Sequence, residues 1–96
     1  MRATRELIEE WFLIARKRKA THMLTVFDTF DHVDFPVFVE KGVDPRAVYD
    51  KYHRRNMYIV MEVYSLSMPL EPQLDEPRAM HFRGKPRQER GTKKQR

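Results

Sequence analysis

Apolar positions recur at helical spacing near the start of the chain. Between Thr4 and Lys19 they return every three or four residues, which places them on one stripe of a helix. The stripe consists of Leu7, Ile8, Trp11, Phe12, Ile14 and Ala15. Thr4 is a suitable N-cap, and the cations at 16–19 suit the negative end of the helix dipole. The pattern predicts a helix over residues 4–19 whose stripe is covered by another element.

The next two apolar segments alternate as strands do. In residues 21–27, THMLTVF, β-branched residues replace helix formers and every second side chain falls on the same face. Residues 35–40, FPVFVE, repeat this alternation. Pro36 cannot donate a backbone hydrogen bond, so the second strand is predicted to start at the proline or to run along a sheet edge.

A second helix and a third strand follow. Asp44 is a suitable N-cap, Pro45 fits the first helical position, and Asn56 is predicted to end the helix in a left-handed conformation. Residues 58–64 are apolar at nearly every position. A run of this kind predicts a strand that is covered on both faces and lies in the centre of the sheet.

The order of elements predicts a small α+β domain over residues 1–82, in which a three-stranded sheet packs against helices. After Met68, prolines predict an extended chain with a short helical turn at Arg78–Phe82. A three-stranded sheet leaves at least one edge free. Such an edge is suited to pairing with a second copy of the chain or with another protein.

The net charge of +5 is concentrated at the C-terminal end of the sequence. Residues 83–96 carry seven cations and one glutamate, whereas residues 1–82 are close to neutral. The cations are Arg83, Lys85, Arg87, Arg90, Lys93, Lys94 and Arg96. Because this segment has almost no apolar surface to bury, it is predicted to be a flexible basic tail. It suits either electrostatic contact with nucleic acid or a role as a solubilising extension.

The residues closest to a chemical motif lie between the first two strands. Asp28, Asp31, His32 and Asp34 fall within seven residues, and with Glu62 they offer the oxygen ligands that Mg²⁺ or Mn²⁺ needs in a metal-dependent hydrolase or nuclease. The segment lacks the glycine of a calcium loop, and the chain has no HExxH pattern. Aspartates also stabilise turns through their side chains. A hairpin loop without a metal is the favoured prediction.

Phe30 lies in the middle of this acidic loop. A large aromatic side chain between charged residues either folds back onto the core, which is the favoured prediction, or stands out as an anchor for a partner. Phe30, Asp31 and His32 are therefore the candidate contact residues of the loop.

Two groups of cations lie at the ends of the predicted helices. Arg16 and Arg18 follow the first helix, and Lys51, Arg54 and Arg55 follow the second. They are either solvated residues that complement the helix dipoles or contacts for nucleic acid or an anionic nucleotide. The four tyrosines suit stacking on bases, although a place in the core or an interface is favoured.

No catalytic residue and no cofactor are predicted. The four histidines lie far apart, show no ligand spacing and are predicted to be surface residues. No serine has a glycine elbow or an adjacent histidine, and the three glycines form no phosphate-binding loop. The chain has no cysteine and no apolar run of about 18 residues, so neither a disulfide framework nor membrane contact is predicted.

Two segments, ATHMLTVFDTFDHVDFPVFV at 20–39 and MEVYSLSM at 61–68, carry a resemblance to known proteins. Here the chain resembles a set of small uncharacterised bacteriophage proteins that share a THMxxVxDTFDxxDxPVxV segment and a VMEVYxL strand. The resemblance covers roughly residues 9–70. It implies a phage or prophage origin and a place in the host bacterial cytoplasm, and it carries over no catalytic residue.

The sequence therefore predicts a non-catalytic phage accessory protein that binds a host or phage macromolecule. It acts either as an inhibitor of a host system or as an oligomer that sequesters an anionic nucleotide signal. The partner is a host protein or a second copy of the chain. The alternatives are a nucleic-acid-binding protein that uses its basic tail and a small metal-dependent hydrolase or nuclease.

Overall fold

The structure, a computed structural model, describes residues 3–83 of the chain. Its elements in chain order are α1 Arg5–Lys17, β1 His22–Asp28, β2 Val33–Val39, α2 Pro45–Tyr52, β3 Tyr58–Ser65 and α3 Leu70–Leu74. The strands form one antiparallel sheet in the order β2-β1-β3. The predicted α+β class is confirmed. The predicted basic tail lies, apart from Arg83, outside the described residues.

Capping side chains fix the starts of the two longer helices. The Thr4 hydroxyl accepts a hydrogen bond from the Leu7 amide at 3.1 Å, and the Asp44 carboxylate accepts one from the Arg46 amide at 3.0 Å. The predicted left-handed conformation of Asn56 is confirmed by its φ of 51°, but α2 ends earlier than predicted, because the chain leaves the helix at His53. There Nδ1 of His53 accepts the Val60 amide at 3.1 Å, which turns the chain back toward β3.

The central strand is β1, so the prediction of a central β3 is wrong. The apolar run of β3 has two other causes. Helices cover both faces of the sheet, and residues 79–81 run along the outer edge of β3. The Val63 amide donates to the Ala79 carbonyl at 2.8 Å, and the His81 amide donates to the Val63 carbonyl at 2.9 Å. An apolar run therefore reports covered faces and not strand position.

Arg78 holds residues 79–81 against β3 by bonding to a β-bulge in that strand. The register between β1 and β3 shifts so that Met61 has no partner in β1. The Arg78 guanidinium donates to the carbonyls of Met61 and Val60, each at 2.9 Å. The predicted helical turn at Arg78–Phe82 is therefore wrong. Instead the short helix is α3, where Pro72 lies in the first turn and needs no backbone donor.

The sheet separates two apolar clusters. On the α1 and α3 side, Phe12 and Ala15 pack with Met23 and Tyr64. The cluster on the α2 side consists of Leu24, Val26, Val39, Val60 and Val63. The predicted stripe of α1 is correct for its buried members but wrong for Ile14, which is exposed together with its neighbour Leu13. Among residues 3–83, no helix is both long enough and apolar enough to cross a membrane.

His22 is buried, which contradicts its predicted place on the surface. It belongs to the central strand, where both faces are covered. Burial lowers the pKa of His22, while the backbone of Phe82 and Arg83 and the charge of Asp44 act in the opposite direction. Burial also lowers the pKa of His53, and the nearby cations Arg54 and Arg78 add to that effect.

We expect the domain to lose stability in mild acid. Because the pKa values of His22 and His53 are lower in the folded chain, the unfolded chain binds more protons below its ordinary histidine pKa of about 6.5. Stability is therefore complete above that pH and falls as the pH drops below it. Urea unfolding at about pH 7.5 and about pH 5.5 measures the difference.

Two single variants separate this effect from general acid sensitivity. His22→Met is expected to reduce the pH dependence of the urea midpoint, whatever its absolute stability. His32→Gln, which removes an exposed histidine instead of a buried one, is the matched control. An equal pH dependence in wild type and His22→Met would contradict the role given to His22.

Candidate binding surface at the hairpin end of the sheet

The loop between β1 and β2 is a compact turn closed on Asp28. Its carboxylate accepts hydrogen bonds from the amides of Phe30 at 2.9 Å and Asp31 at 3.2 Å. The His32 amide donates to the Asp28 carbonyl at 2.7 Å. This arrangement confirms the predicted hairpin loop, in which an aspartate organises the turn.

The turn between α2 and β3 lies beside this loop and has an unusual backbone. Arg54, Asn56 and Met57 have φ angles of 61°, 51° and 69°. His32, in the first loop, has a φ of 60°. The left-handed region is costly for most side chains other than those of asparagine and aspartate, by on the order of 1–3 kcal/mol each, and at Arg54 and Met57 it persists only where surrounding contacts impose it.

Hydrogen bonds supply those contacts. The Arg54 amide donates to the Tyr58 carbonyl at 2.8 Å, and the Tyr58 amide donates to the Arg55 carbonyl at 2.9 Å. Thr29 joins the two loops, because its amide and its hydroxyl both donate to the Met57 carbonyl, at 2.8 Å and 2.7 Å. The two loops therefore form one bonded unit at this end of the sheet.

Large apolar side chains are exposed on this unit. Phe30 is 72% exposed, Met57 61% and Val33 41%. The favoured core position of Phe30 is wrong, because a turn closed on Asp28 leaves no length for the chain to return to the core. We use the name hairpin-end surface for Phe30, Asp31, Val33, Arg54, Arg55 and Met57.

The hairpin-end surface also carries charges of both signs. Among residues 3–83, the ion pairs join other side chains and leave Asp31, Arg54 and Arg55 without an oppositely charged partner. The Arg55 guanidinium donates instead to the Asp50 carbonyl at 3.0 Å. Lys51 is exposed on the last turn of α2 nearby.

The other predicted cations lie at the opposite end of the sheet. The end of α1 leads into the start of β1, whereas the end of α2 leads into the start of β3, which runs antiparallel to β1. Arg18 pairs with Glu40 at 3.1 Å and lies over the Phe38 ring at 4.7 Å. Arg16 lies over the Phe12 ring at 5.3 Å. The two cationic groups therefore do not form one patch.

The tyrosines belong to the packed part of the domain. Tyr52 and Tyr58 contact the Phe35 ring at centroid distances of 6.4 Å and 5.3 Å, and Tyr49 stacks on His53 at 4.7 Å. Tyr64 is buried, and burial raises the pKa of its hydroxyl. These contacts agree with the favoured core interpretation and not with base stacking.

The acidic residues proposed as metal ligands have separate roles. Asp28 closes the hairpin turn, Asp34 accepts the Ala3 amide, and Glu62 accepts the Thr25 hydroxyl at 2.6 Å. In the part of the chain that the structure describes, no three histidine or carboxylate side chains come together as a group that could hold a metal ion.

We expect Mg²⁺, Mn²⁺ and EDTA to leave the melting temperature unchanged. A metal that bound the folded chain selectively through Asp28, Asp31 and Glu62 would raise it in proportion to its occupancy. Differential scanning fluorimetry with and without each ion measures the shift, and Asp31→Ala is the control. A rise of several degrees that disappears in Asp31→Ala would contradict this expectation and favour the hydrolase hypothesis.

Sequence reasoning missed Met57 and Val33. Val33 starts an alternating strand, and its exposure follows from its place beside the hairpin turn at the edge of the sheet. Met57 follows Asn56, a residue that favours left-handed turns, and this was the available signal for an irregular turn before β3.

Comparison of the chain with protein-family models, with curated proteins and with solved structures gave no match in any of the three. The geometry of the hairpin-end surface is therefore the basis for a functional proposal.

Proposed function

We propose that this chain is a non-catalytic binding protein that acts on a host or phage macromolecule, and that the hairpin-end surface is where it contacts proteins. The observation that carries the proposal is the exposure of Phe30 and Met57 on two hydrogen-bonded loops, with exposed Val33 beside them at the start of β2. Exposed apolar patches on small domains are typical of interaction sites.

The backbone of the surface favours binding at low entropic cost. The Asp28 carboxylate accepts a backbone amide of its own loop, and the Thr29 hydroxyl donates to a backbone carbonyl of the neighbouring turn. Because both loops are already held, little further ordering is needed when a partner docks. Four left-handed residues other than glycine lie in these two loops. Strain of this kind is concentrated at functional sites in proteins.

The chemistry of the surface favours a protein over nucleic acid. An aromatic and an aliphatic anchor beside charges of both signs is the composition of a protein interface, with Phe30 as the natural hot spot. A nucleic-acid surface would carry cations and available ring faces, but the tyrosine rings are packed. Binding of nucleic acid remains the second candidate function because of the seven cations in 83–96.

Site-specific photocrosslinking tests the proposal. A photoreactive phenylalanine derivative at position 30 of the full chain, expressed in bacterial cells, is expected to give a discrete protein adduct. The same group at Leu13, an exposed apolar residue on α1, is the control and should give none. The adduct should disappear when Met57→Asp is added, because that change places a charge in the apolar patch.

Other outcomes would contradict the proposal. Adducts of equal yield from positions 30 and 13 would indicate collision without recognition. Adducts that nuclease treatment removes, or no adduct at all from position 30, would rule out the hairpin-end surface as a protein contact.

A further inference from the structure

We propose that the partner of the hairpin-end surface is a second copy of this chain, joined end to end through a two-fold axis. This inference rests on the proposed function, because it requires that the hairpin-end surface contacts a protein. It adds that this protein is the chain itself. The loop at 29–32 of one copy meets the turn at 54–57 of the other, so that each contact occurs twice.

Charge complementarity selects this partner. Asp31 lies on one loop, while Arg54 and Arg55 lie on the neighbouring turn, and none of the three has an ion-pair partner among residues 3–83. A two-fold axis between the loops places the Asp31 carboxylate of each copy against the guanidinium groups of the other. A surface that carries an unpaired carboxylate on one loop and unpaired guanidinium groups on the joined turn can be complementary to a second copy of itself.

The apolar residues fit the same arrangement. Phe30 and Met57 belong to opposite loops that Thr29 joins by hydrogen bonds to the Met57 carbonyl. Under the two-fold axis Phe30 of each copy meets Met57 of the other, and an aromatic ring against a thioether is a favourable contact.

The sheet edges favour contact through the end over pairing of strands. Residues 79–81 cover the outer edge of β3, and Arg78 engages two of its carbonyls. The other edge strand, β2, contains Pro36, which lacks a backbone donor and interrupts a ladder with a second copy. Among residues 3–83, no strand pairs with the outer edge of β2, but this edge is poorly suited to pairing.

A charge-swap experiment with the full chain tests the dimer. One variant carries Asp31→Arg and the other carries Arg54→Asp with Arg55→Asp. Wild type is expected to reach twice its 11.7 kDa monomer mass in sedimentation equilibrium. Each variant alone should remain monomeric, because like charges then face each other. An equimolar mixture should regain the dimer mass, since both contacts are complementary again in the mixed pair.

The sedimentation results decide between a dimer and a monomer only if the variants fold. The exchanged residues are exposed, and aspartate tolerates the left-handed backbone of position 54, so both variants are expected to remain folded. A wild type that stays monomeric at every concentration, or a mixture that fails to associate, would overturn the dimer. If position 30 then still crosslinked to a different protein, the proposed function would stand and only the identity of the partner would be wrong.

Discussion

Replacing Gln73 with alanine is expected to lower the free energy of unfolding by about 3 kcal/mol. Gln73 is a polar residue that is only 1% exposed. Its carboxamide oxygen accepts the Ser65 amide at 2.8 Å, and its nitrogen donates to the carbonyls of Ser65 and Pro69, each at 3.0 Å. One side chain thus joins the end of β3 to the start of α3.

The size of the effect follows from burial. Alanine removes these hydrogen bonds and leaves the buried backbone groups of Ser65 and Pro69 without the partner that served them. In a domain of this size the change corresponds to a fall of roughly 12–24 °C in melting temperature. Glu71→Ala, at an exposed position of the same helix, is the matched control and should melt close to wild type.

A conservative variant identifies the cause. Gln73→Glu keeps the shape of the side chain but loses the two N–H donors and introduces a buried charge. It should therefore be about as harmful as Gln73→Ala. If Gln73→Ala melted within a few degrees of wild type, the hydrogen-bonded junction would not be the feature that holds α3 on the sheet.

The elements that the sequence predicted correctly are those with local causes. Helix α1 begins after Thr4 and α2 after Asp44 because each cap bonds an amide two or three residues ahead. The hairpin loop follows from Asp28, whose carboxylate accepts the amides two and three residues ahead. Interactions over so few residues are visible in the order of the side chains.

The errors concern contacts between distant parts of the chain. The sequence contains no local sign that Arg78 bonds carbonyls 17 and 18 residues before it, or that residues 79–81 then lie along the edge of β3. If these contacts are not known, the apolar run of β3 predicts a central strand, and residues Arg78–Phe82 are predicted to form a helical turn. The predicted surface position of His22 is also wrong because of distant contacts, since its burial depends on the two strands that flank β1.

The candidate surface was predicted in part. Phe30 and Asp31 stand out as an aromatic and a carboxylate in a loop, but the sequence does not bring them to Arg54 and Arg55. That proximity depends on the antiparallel pairing of β3 with β1 and on the bonds from Thr29 to Met57. The same antiparallel pairing places Arg16 and Arg18 at the opposite end of the sheet from Arg54 and Arg55. In the sequence, both groups of cations simply follow a helix.

The proposed dimer gives the two ends of the domain different roles. Contact through the hairpin-end surface leaves Arg16 and Arg18 at the outer end of each copy. Residues 79–82 run parallel to β3, so Arg83 also lies toward the outer end. If the hairpin-end surface joins two copies, these outer ends are the surfaces that stay available for a host or phage macromolecule, and the dimer presents them together.

Shortening Leu24 to alanine is expected to lower the free energy of unfolding by about 3–4 kcal/mol. Leu24 is fully buried at the centre of β1, where it pairs with Val37 on one side and Val63 on the other. Removal of its methyl groups leaves a cavity among valines, whose stiff side chains cannot move to fill it.

Leu13→Ala is the matched control, because the same atoms are removed from a leucine that is 58% exposed on α1. Alanine is the strongest helix former, so the control should unfold within about 0.5 kcal/mol of wild type. Urea unfolding of the three proteins at neutral pH gives both differences. Equal losses in the two variants would place the core elsewhere than in the central strand. We expect α2 to stay in place, because the Val60 amide donates to His53 and fixes the end of the helix. A much smaller loss of stability in Leu24→Ala would contradict this and would mean that α2 moves onto the sheet and fills the cavity.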